Sequence, residues 1–391
     1  MSKTLAALLG GAAGAVALVG ILALCIWFCL SRSRTLSRTS DSGSSEPSSV
    51  QAGASVGGVE LPLTGAASLP SQSREARSFT LPELALATNN FTHINSIGEG
   101  KFGEVYMGLL QDGMIVAIKK RANVPTEEFV VEVRYLSSIR HRNLVSLLGY
   151  CQENGQQMLV YEYIPSGSIS SHLYGAGQVS NEKLEFKHRL PIALGAAKGL
   201  AHLHALSPPL VHKNFKTANV LVDENFIAKV ADAGLRNLVG RVGVAGTSSG
   251  RADDIFLAPE VTEFGRFSER SDAYSFGVFL LELVSGQEAV QPCSSESDRT
   301  LVQWVQNYSE SSNISAIVDR RMGGNFTAEG MQEFLLLTAQ CLNSSSQRRP
   351  TMNFIVSELE RILEREVSLT TIMGESTPTV TLGSHLFTSS K

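Results

Sequence analysis

The chain has 391 residues, 43% of them hydrophobic and 18% charged, with a formal net charge of -4. That length can bury a sizeable core, and so small a net charge excludes a general attraction for nucleic acid or anionic lipid. The five cysteines, Cys25, Cys29, Cys151, Cys293 and Cys341, are scattered without the close pairs that zinc or redox sites need, which fits a reducing compartment.

Leu5 to Leu30 is uncharged and almost wholly apolar. At about 1.5 Å per residue it is long enough, as a helix, to cross a ~30 Å hydrocarbon core. A secretory signal has a shorter apolar core and a small-residue cleavage site; here Arg32, Arg34 and Arg38 follow directly, so a retained single span is expected. Those arginines outweigh Lys3, which leaves residues 1–4 outside and the long C-terminal portion in the cytosol. Trp27 and Phe28 fall near the inner interface, and Cys25 and Cys29 at the same depth read as free apolar cysteines, with palmitoylation the alternative.

Residues 31–78 contain no aromatic side chain and are dominated by Ser, Gly, Ala, Thr and Pro, so they are expected to form a disordered cytosolic linker. Residues 366–391, again rich in Ser and Thr, are expected to be a flexible tail. The sequons at Asn90, Asn307, Asn313, Asn325 and Asn343 matter only if the topology is reversed. No internal repeat is visible.

Chemistry begins at Ile97-Gly98-Glu99-Gly100-Lys101-Phe102-Gly103-Glu104-Val105, a glycine-rich turn between strands that lets backbone amides approach phosphates. The next strand, Ile115 to Lys119, alternates so that Ala117 and Lys119 share a face, Ala117 to roof a purine and Lys119 to reach the phosphates. A helix is expected from Pro125 and Thr126, with Phe129, Val133, Leu136 and Ile139 at core spacing. Glu132 lies inside that apolar stripe, where a carboxylate needs a partner, and Lys119 is the expected one.

These segments, in this order, resemble those of plant receptor-like kinases. Val105 closes the kinase form of the glycine loop, and Tyr161-Glu162-Tyr163-Ile164 resembles the hinge. His141-Arg142-Asn143-Leu144-Val145 to Tyr150 is very similar to that family's version of the segment. Ala258-Pro259-Glu260 resembles the motif that closes the activation segment, Arg349 its buried ion-pair partner, and Asp272 the residue that holds the catalytic-loop backbone. The resemblance spans about Phe91 to Leu363, giving a kinase-like domain at 91–365. It implies an α+β, bilobal protein-kinase fold with a small β-rich N-lobe and a larger helical C-lobe. It further implies ATP and magnesium (Mg2+) as cofactors. Gly98, Gly100, Gly103, Val105, Ala117, Lys119, Glu132, Glu162, Ile164 and Leu221 would surround the nucleotide, and Asn219 and Asp232 would hold the metal.

The catalytic loop departs from the pattern. It reads Val211-His212-Lys213-Asn214-Phe215-Lys216-Thr217-Ala218-Asn219, where the family has His-Arg-Asp, then Lys and Asn. His212, Lys216 and Asn219 match, but Asn214 stands in place of the aspartate that accepts the substrate hydroxyl's proton. An amide has no basicity near neutral pH, and losing a general base typically costs about 10²- to 10⁴-fold in rate. The metal motif is Asp232-Ala233-Gly234, in which Ala233 lacks the ring that packs against His212 and the helix bearing Glu132. Replacing such a buried ring typically costs ~3 to 5 kcal/mol, which disfavours the active alignment. Asp253 stands where a threonine usually contacts Lys216 and the missing Asp, and Thr247, Ser248 and Ser249 read as a flexible loop or as phosphoacceptors.

The nucleotide-facing residues are retained and the substrate-facing ones altered. The resemblance therefore implies a membrane-anchored pseudokinase that binds ATP and regulates or scaffolds active receptor kinases. The alternatives are a weakly active serine/threonine kinase, since positioning and metal ions carry much of phosphoryl transfer, and a nucleotide-independent adaptor.

Overall fold

Alternation from Ile115 to Lys119 becomes strand β4 (Ile115–Arg121) of a six-stranded sheet, with Val116 and Ile118 buried on one face and Ala117 and Lys119 turned to the other. The computed structural model describes residues 76–100, 102–121, 127–174, 184–235, 238, 251–290, 300–306, 314–324 and 326–374. The candidate span Leu5 to Leu30, the linker as far as residue 75, Pro125, Thr126, Thr247 to Ser249 and residues 375–391 lie outside them. Among the described residues no helix is long and apolar enough to cross a membrane.

The remaining strands are β1 (Arg77–Ser78), β2 (Ser96–Glu99), β3 (Gly103–Leu109), β5 (Leu147–Glu153) and β6 (Gln156–Glu162), in the spatial order β1-β5-β6-β4-β3-β2. All neighbours are antiparallel except β1, which runs parallel to β5 with Arg77 opposite Gly149 and Ser78 opposite Tyr150. Asn154 and Gly155, both at positive φ, make the two-residue turn between β5 and β6 that an Asn-Gly pair favours.

The linker expected to extend through residue 78 is thus ordered at its end. Phe79, 3% exposed, donates its N–H to the Tyr150 carbonyl at 2.8 Å, and Thr80 caps helix α1 (Leu81–Ala87) by accepting from the Glu83 N–H at 3.3 Å. Phe79 and Leu84 join Val116, Ile118, Cys151, Met158 and Val160 in a core on the outer face of the sheet. Apolar burial of Phe79 and Leu84 is what orders this segment. Burial also pushes the Cys151 thiol up to about 11.

Helix α2 runs from Phe129 to Ser138 and buries Phe129, Val133 and Leu136, as the spacing predicts. It begins after Glu128 and therefore starts later than Pro125 and Thr126, so Glu132 falls in its first turn.

The larger lobe holds α3 (Ile169–Tyr174), α4 (Phe186–His204), the hairpin β7 (Val220–Val222) and β8 (Ala228–Val230), α5 (Arg251–Asp254) and α6 (Pro259–Phe264). It continues with α7 (Glu269–Ser285), α8 (Leu301–Gln306), α9 (Ala328–Cys341) and α10 (Met352–Gly374). Helix α7 starts on a Ser268–Ser271 capping box and is buried on every side from Ser271 to Ser285, as expected of a central helix. It ends at Gly286, whose φ of 65° and contact with Asp319 leave no room for a side chain.

Residues 366–374, expected to open the flexible tail, are helical. Helix α10 continues to Gly374 because Glu366, 5% exposed, accepts from the Thr327 N–H and hydroxyl at the start of α9.

Candidate active site

The catalytic loop is suspended from one buried carboxylate. Asp272 on α7, 1% exposed, accepts from the His212 N–H at 2.7 Å, the Lys213 N–H at 3.0 Å and His204 Nε2 at 2.9 Å. Lys213 takes a φ of 65°, a conformation that this double backbone clamp holds in place. His212 accepts the Asn214 N–H on Nδ1 at 3.3 Å, so its Nε2 carries the hydrogen and donates to the Ala231 carbonyl at 2.9 Å. Asn219 donates from Nδ2 to the Asn214 carbonyl at 2.8 Å, and its backbone carbonyl accepts the Ala231 N–H at 2.8 Å. Phe215, 1% exposed, anchors the loop below by packing on Phe276 and Phe279 with ring centroids 5.8 and 5.5 Å away. Asn214 therefore occupies a loop whose backbone frame is complete.

Burial holds the His212 imidazole below its ordinary value, outweighing the opposing pull of Asp272, and burial does the same to His141. An unfolded chain protonates these rings near pH ~6.5 while the folded one resists, so their stabilising effect is complete above that pH and is lost below it. The melting temperature should fall between pH 7.5 and 5.5, and His212→Gln should flatten that fall; a pH-independent melting temperature would contradict it.

At the nucleotide end, a Cβ added at Gly98 or Gly100 would meet nothing within 4 Å, so packing does not demand glycine there. What the missing side chains give is close backbone approach for a ligand. Gly100 and Gly103 close the turn through reciprocal N–H to carbonyl bonds of 2.9 and 3.0 Å. Val105 faces Lys119 across the β3–β4 ladder and Met107 faces Ala117, which puts Val105, Ala117 and Lys119 on one side of the sheet. Glu162 has its N–H on the Ser146 carbonyl at 3.0 Å and its carboxylate on the Ser146 N–H at 2.7 Å and Lys229 Nζ at 3.0 Å. Ile164 is buried and Leu221 is half-buried on β7.

Lys119 is ion-paired with Asp232, each side chain about one-seventh exposed at 14% and 13%. Among the described residues no ion pair joins Lys119 to Glu132, which corrects the expected pairing. The reason is positional: Glu132 sits in the first turn of a helix that starts late, while Asp232, held at a φ of 66°, is brought directly to the lysine. Gly234, at a φ of 74°, leaves space that Leu136 of α2 takes up; a Cβ there would lie 2.6 Å from Leu136 Cδ2.

Three residues that the motifs did not single out complete this end. Phe102 at the tip of the glycine loop is 3% exposed and belongs to the core that contains Phe129, Leu136, Leu235 and Leu238. Arg121 at the end of β4 stacks its guanidinium 5.5 Å from the Phe102 centroid and donates to the Leu238 carbonyl at 2.8 Å. Tyr161 backs the cleft, and burial, then the nearby Asp232 charge, pushes its phenol well above the ordinary range. The sequence signal for Phe102 was available, an aromatic inside a glycine loop, but its burial depends on where α2 and the Leu235 turn lie.

At the phosphoacceptor end, Lys216 Nζ donates to both oxygens of Asp253 at 2.9 and 3.0 Å. Asp253, Asn214, Lys213 and Lys216 line one pocket, whose apolar wall is Phe256, Leu257, Ala258, Val261 and Phe267. Glu260 receives two hydrogen bonds from Arg349, at 2.7 and 2.8 Å, as the motif reading expects.

Magnesium fits this donor set. Asp232 supplies a carboxylate and Asn219, its NH₂ turned to the Asn214 carbonyl, presents an amide oxygen, the hard oxygen ligands that the ion takes.

The family profile described as "Protein tyrosine and serine/threonine kinase" matches residues 91–359. The chain is 38% identical over 313 residues to the probable serine/threonine-protein kinase PBL22 of Arabidopsis thaliana, covering 78% of this chain and 82% of that one. It is also 38% identical over 300 residues to the proline-rich receptor-like protein kinase PERK1 of Arabidopsis thaliana, covering 75% of this chain and 45% of PERK1, less than half its length. Among solved structures it is similar to the pseudokinase domain of BIR2, an immune regulator of the RLK/Pelle family. The TM-score is 0.62 and the identity 33%, over 73% of this chain and 86% of that one. With the loop, the clamp and the ion pairs in place, the chain belongs to the protein tyrosine and serine/threonine kinase family, in its plant receptor-like branch.

Proposed function

We propose that this chain is a membrane-anchored receptor-like pseudokinase that binds ATP with magnesium and regulates or scaffolds active receptor kinases. The observation that carries the reading is Asn214, a carboxamide in a loop whose supports, Asp272, His212 and Asn219, are all present. The frame is built for a proton acceptor, and the residue in it accepts none. Bound ATP would take its phosphates to Lys119 and its metal to Asp232 and Asn219; magnesium supplies charge neutralisation between the phosphates. Similarity to a pseudokinase domain described as an immune regulator supports action through other signalling proteins. The apolar run Leu5 to Leu30 with its flanking arginines supports a single-pass anchor and a cytosolic kinase-like domain.

One observation favours weak phosphotransfer as a second reading: the Asp253 carboxylate lines the same pocket as Asn214. The mutual pairing of Lys119 and Asp232, which satisfies both charges without a ligand, favours the nucleotide-independent adaptor. Thermal shift of the full chain with MgATP, beside Lys119→Ala, separates these. A rise in melting temperature that the substitution abolishes is expected, and no shift in either form would remove nucleotide from the function.

A further inference from the structure

Lys119 and Lys216 differ in how their charges are engaged, and this bears on which nucleotide the site takes. Lys119 is paired with Asp232, the residue that would also hold magnesium. Were Asp232 to hold a cation, Lys119 would be released to pair with a phosphate. Lys216 has no such release. Both oxygens of Asp253 accept from its Nζ, at 2.9 and 3.0 Å, and the two side chains are 22% and 23% exposed. Asp253 belongs to the short turn α5, which is pinned from below: the Phe256 N–H donates to the Asp253 carbonyl at 3.3 Å, and the Ser275 hydroxyl of α7 donates to the Phe256 carbonyl at 2.7 Å.

Position along the loop decides what Lys216 would meet. Lys216 lies between Asn214, at the end where an acceptor hydroxyl would enter, and Asn219, at the metal end. A nucleotide held by Lys119, Asp232 and Asn219 would meet this loop first at its metal end, so Lys216 and Asp253 would be the next charges within reach of a further phosphate. There it would find a lysine whose charge is already matched, together with an added carboxylate. An inner phosphate gains a cation, while a third phosphate brings one to two more negative charges into a partly exposed site beside an anion.

We infer that this site prefers a nucleoside diphosphate to a triphosphate, and that Asp253 sets the preference. The inference rests on the nucleotide-binding reading above and names its ligand. An unmatched charge in a partly exposed site changes affinity by about an order of magnitude. MgADP should therefore bind about tenfold more tightly than a triphosphate.

The test is calorimetric titration of the full chain with MgADP and with the non-hydrolysable triphosphate MgAMPPNP, beside Asp253→Thr and the near-isosteric Asp253→Asn. The unaltered chain should favour the diphosphate about tenfold. Both substitutions should bring the ratio close to unity, by tightening the triphosphate more than the diphosphate. Ligand-free melting curves establish that each form is folded, and if one is not, the other and the wild-type ratio still decide. Equal or tighter triphosphate binding by the unaltered chain, or a ratio unmoved in folded variants, overturns the role of Asp253 and leaves nucleotide binding standing. No heat with either ligand in any form overturns the nucleotide reading, and this preference with it.

Discussion

Asn214→Asp is expected to raise MgATP-dependent phosphotransfer by about 10²- to 10⁴-fold over the unaltered chain, the range that a restored general base supplies. The expectation follows from how little else at that position needs rebuilding. The Asn214 N–H is already held by His212 and its carbonyl by Asn219, so a carboxylate would inherit a fixed backbone. It would also stand beside Lys216, which Asp253 already engages. Two carboxylates around one lysine repel, so the single substitution should reach only part of the gain, and Asn214→Asp with Asp253→Thr should exceed it. Transfer of label from γ-labelled ATP to the full chain measures this. If the unaltered chain already turns over as fast as either variant, the loop is not limiting and the pseudokinase reading fails.

Arg349→Ala is expected to cost about 3 to 5 kcal/mol of stability, the usual consequence of removing one partner from a buried ion pair. Arg349 is 1% exposed and donates to Glu260 twice and to the carbonyls of Asn343, Arg270 and Ser344, at 2.7, 3.0 and 3.1 Å. Tyr274 lies beneath it with the guanidinium 5.0 Å from the ring centroid. Truncation would leave three carbonyls and the Glu260 carboxylate without their donor. Burial alone would raise the Glu260 pKa, but the Arg349 hydrogen bonds prevail and hold it below the ordinary value. A depression of the melting temperature by roughly 10 °C is the readout, and a shift under about 2 °C would show that the pair contributes little.

Much of this site was legible in the sequence because it rests on short-range motifs. The glycine turn, the His212-to-Asn219 loop and the Ala258-Pro259-Glu260 segment each place their residues through local backbone geometry. The long-range pairs that the motifs name, Asp272 with the loop and Glu260 with Arg349, were found where family order puts them. The resemblance put Asp253 at the place of a threonine that contacts Lys216, and the ion pair that the carboxylate makes there is a finding of the structure. What the sequence did not settle were choices between competing partners. Lys119 had two carboxylates to choose from, and the start of α2 decided between them; that start depends on tertiary packing as well as on the apolar spacing. Phe102 stood out as an aromatic inside the glycine loop, but its inward turn depends on where α2 and the Leu235 turn lie. The segment from Phe79 to Ala87 was readable in principle, since Thr80-Leu81-Pro82-Glu83 is a helix start, but it was overshadowed by the low-complexity stretch before it.

That small N-terminal segment has a practical consequence. The family profile begins at residue 91, and a fragment cut there would be stripped of β1, Phe79 and α1. Strand β5 would then become an open border of the sheet, with its amides and carbonyls unmet at Gly149 and Tyr150, above a hollow lined by Val116, Ile118 and Met158. Such a border invites pairing with other chains, so expression boundaries for this protein belong upstream of Ala76.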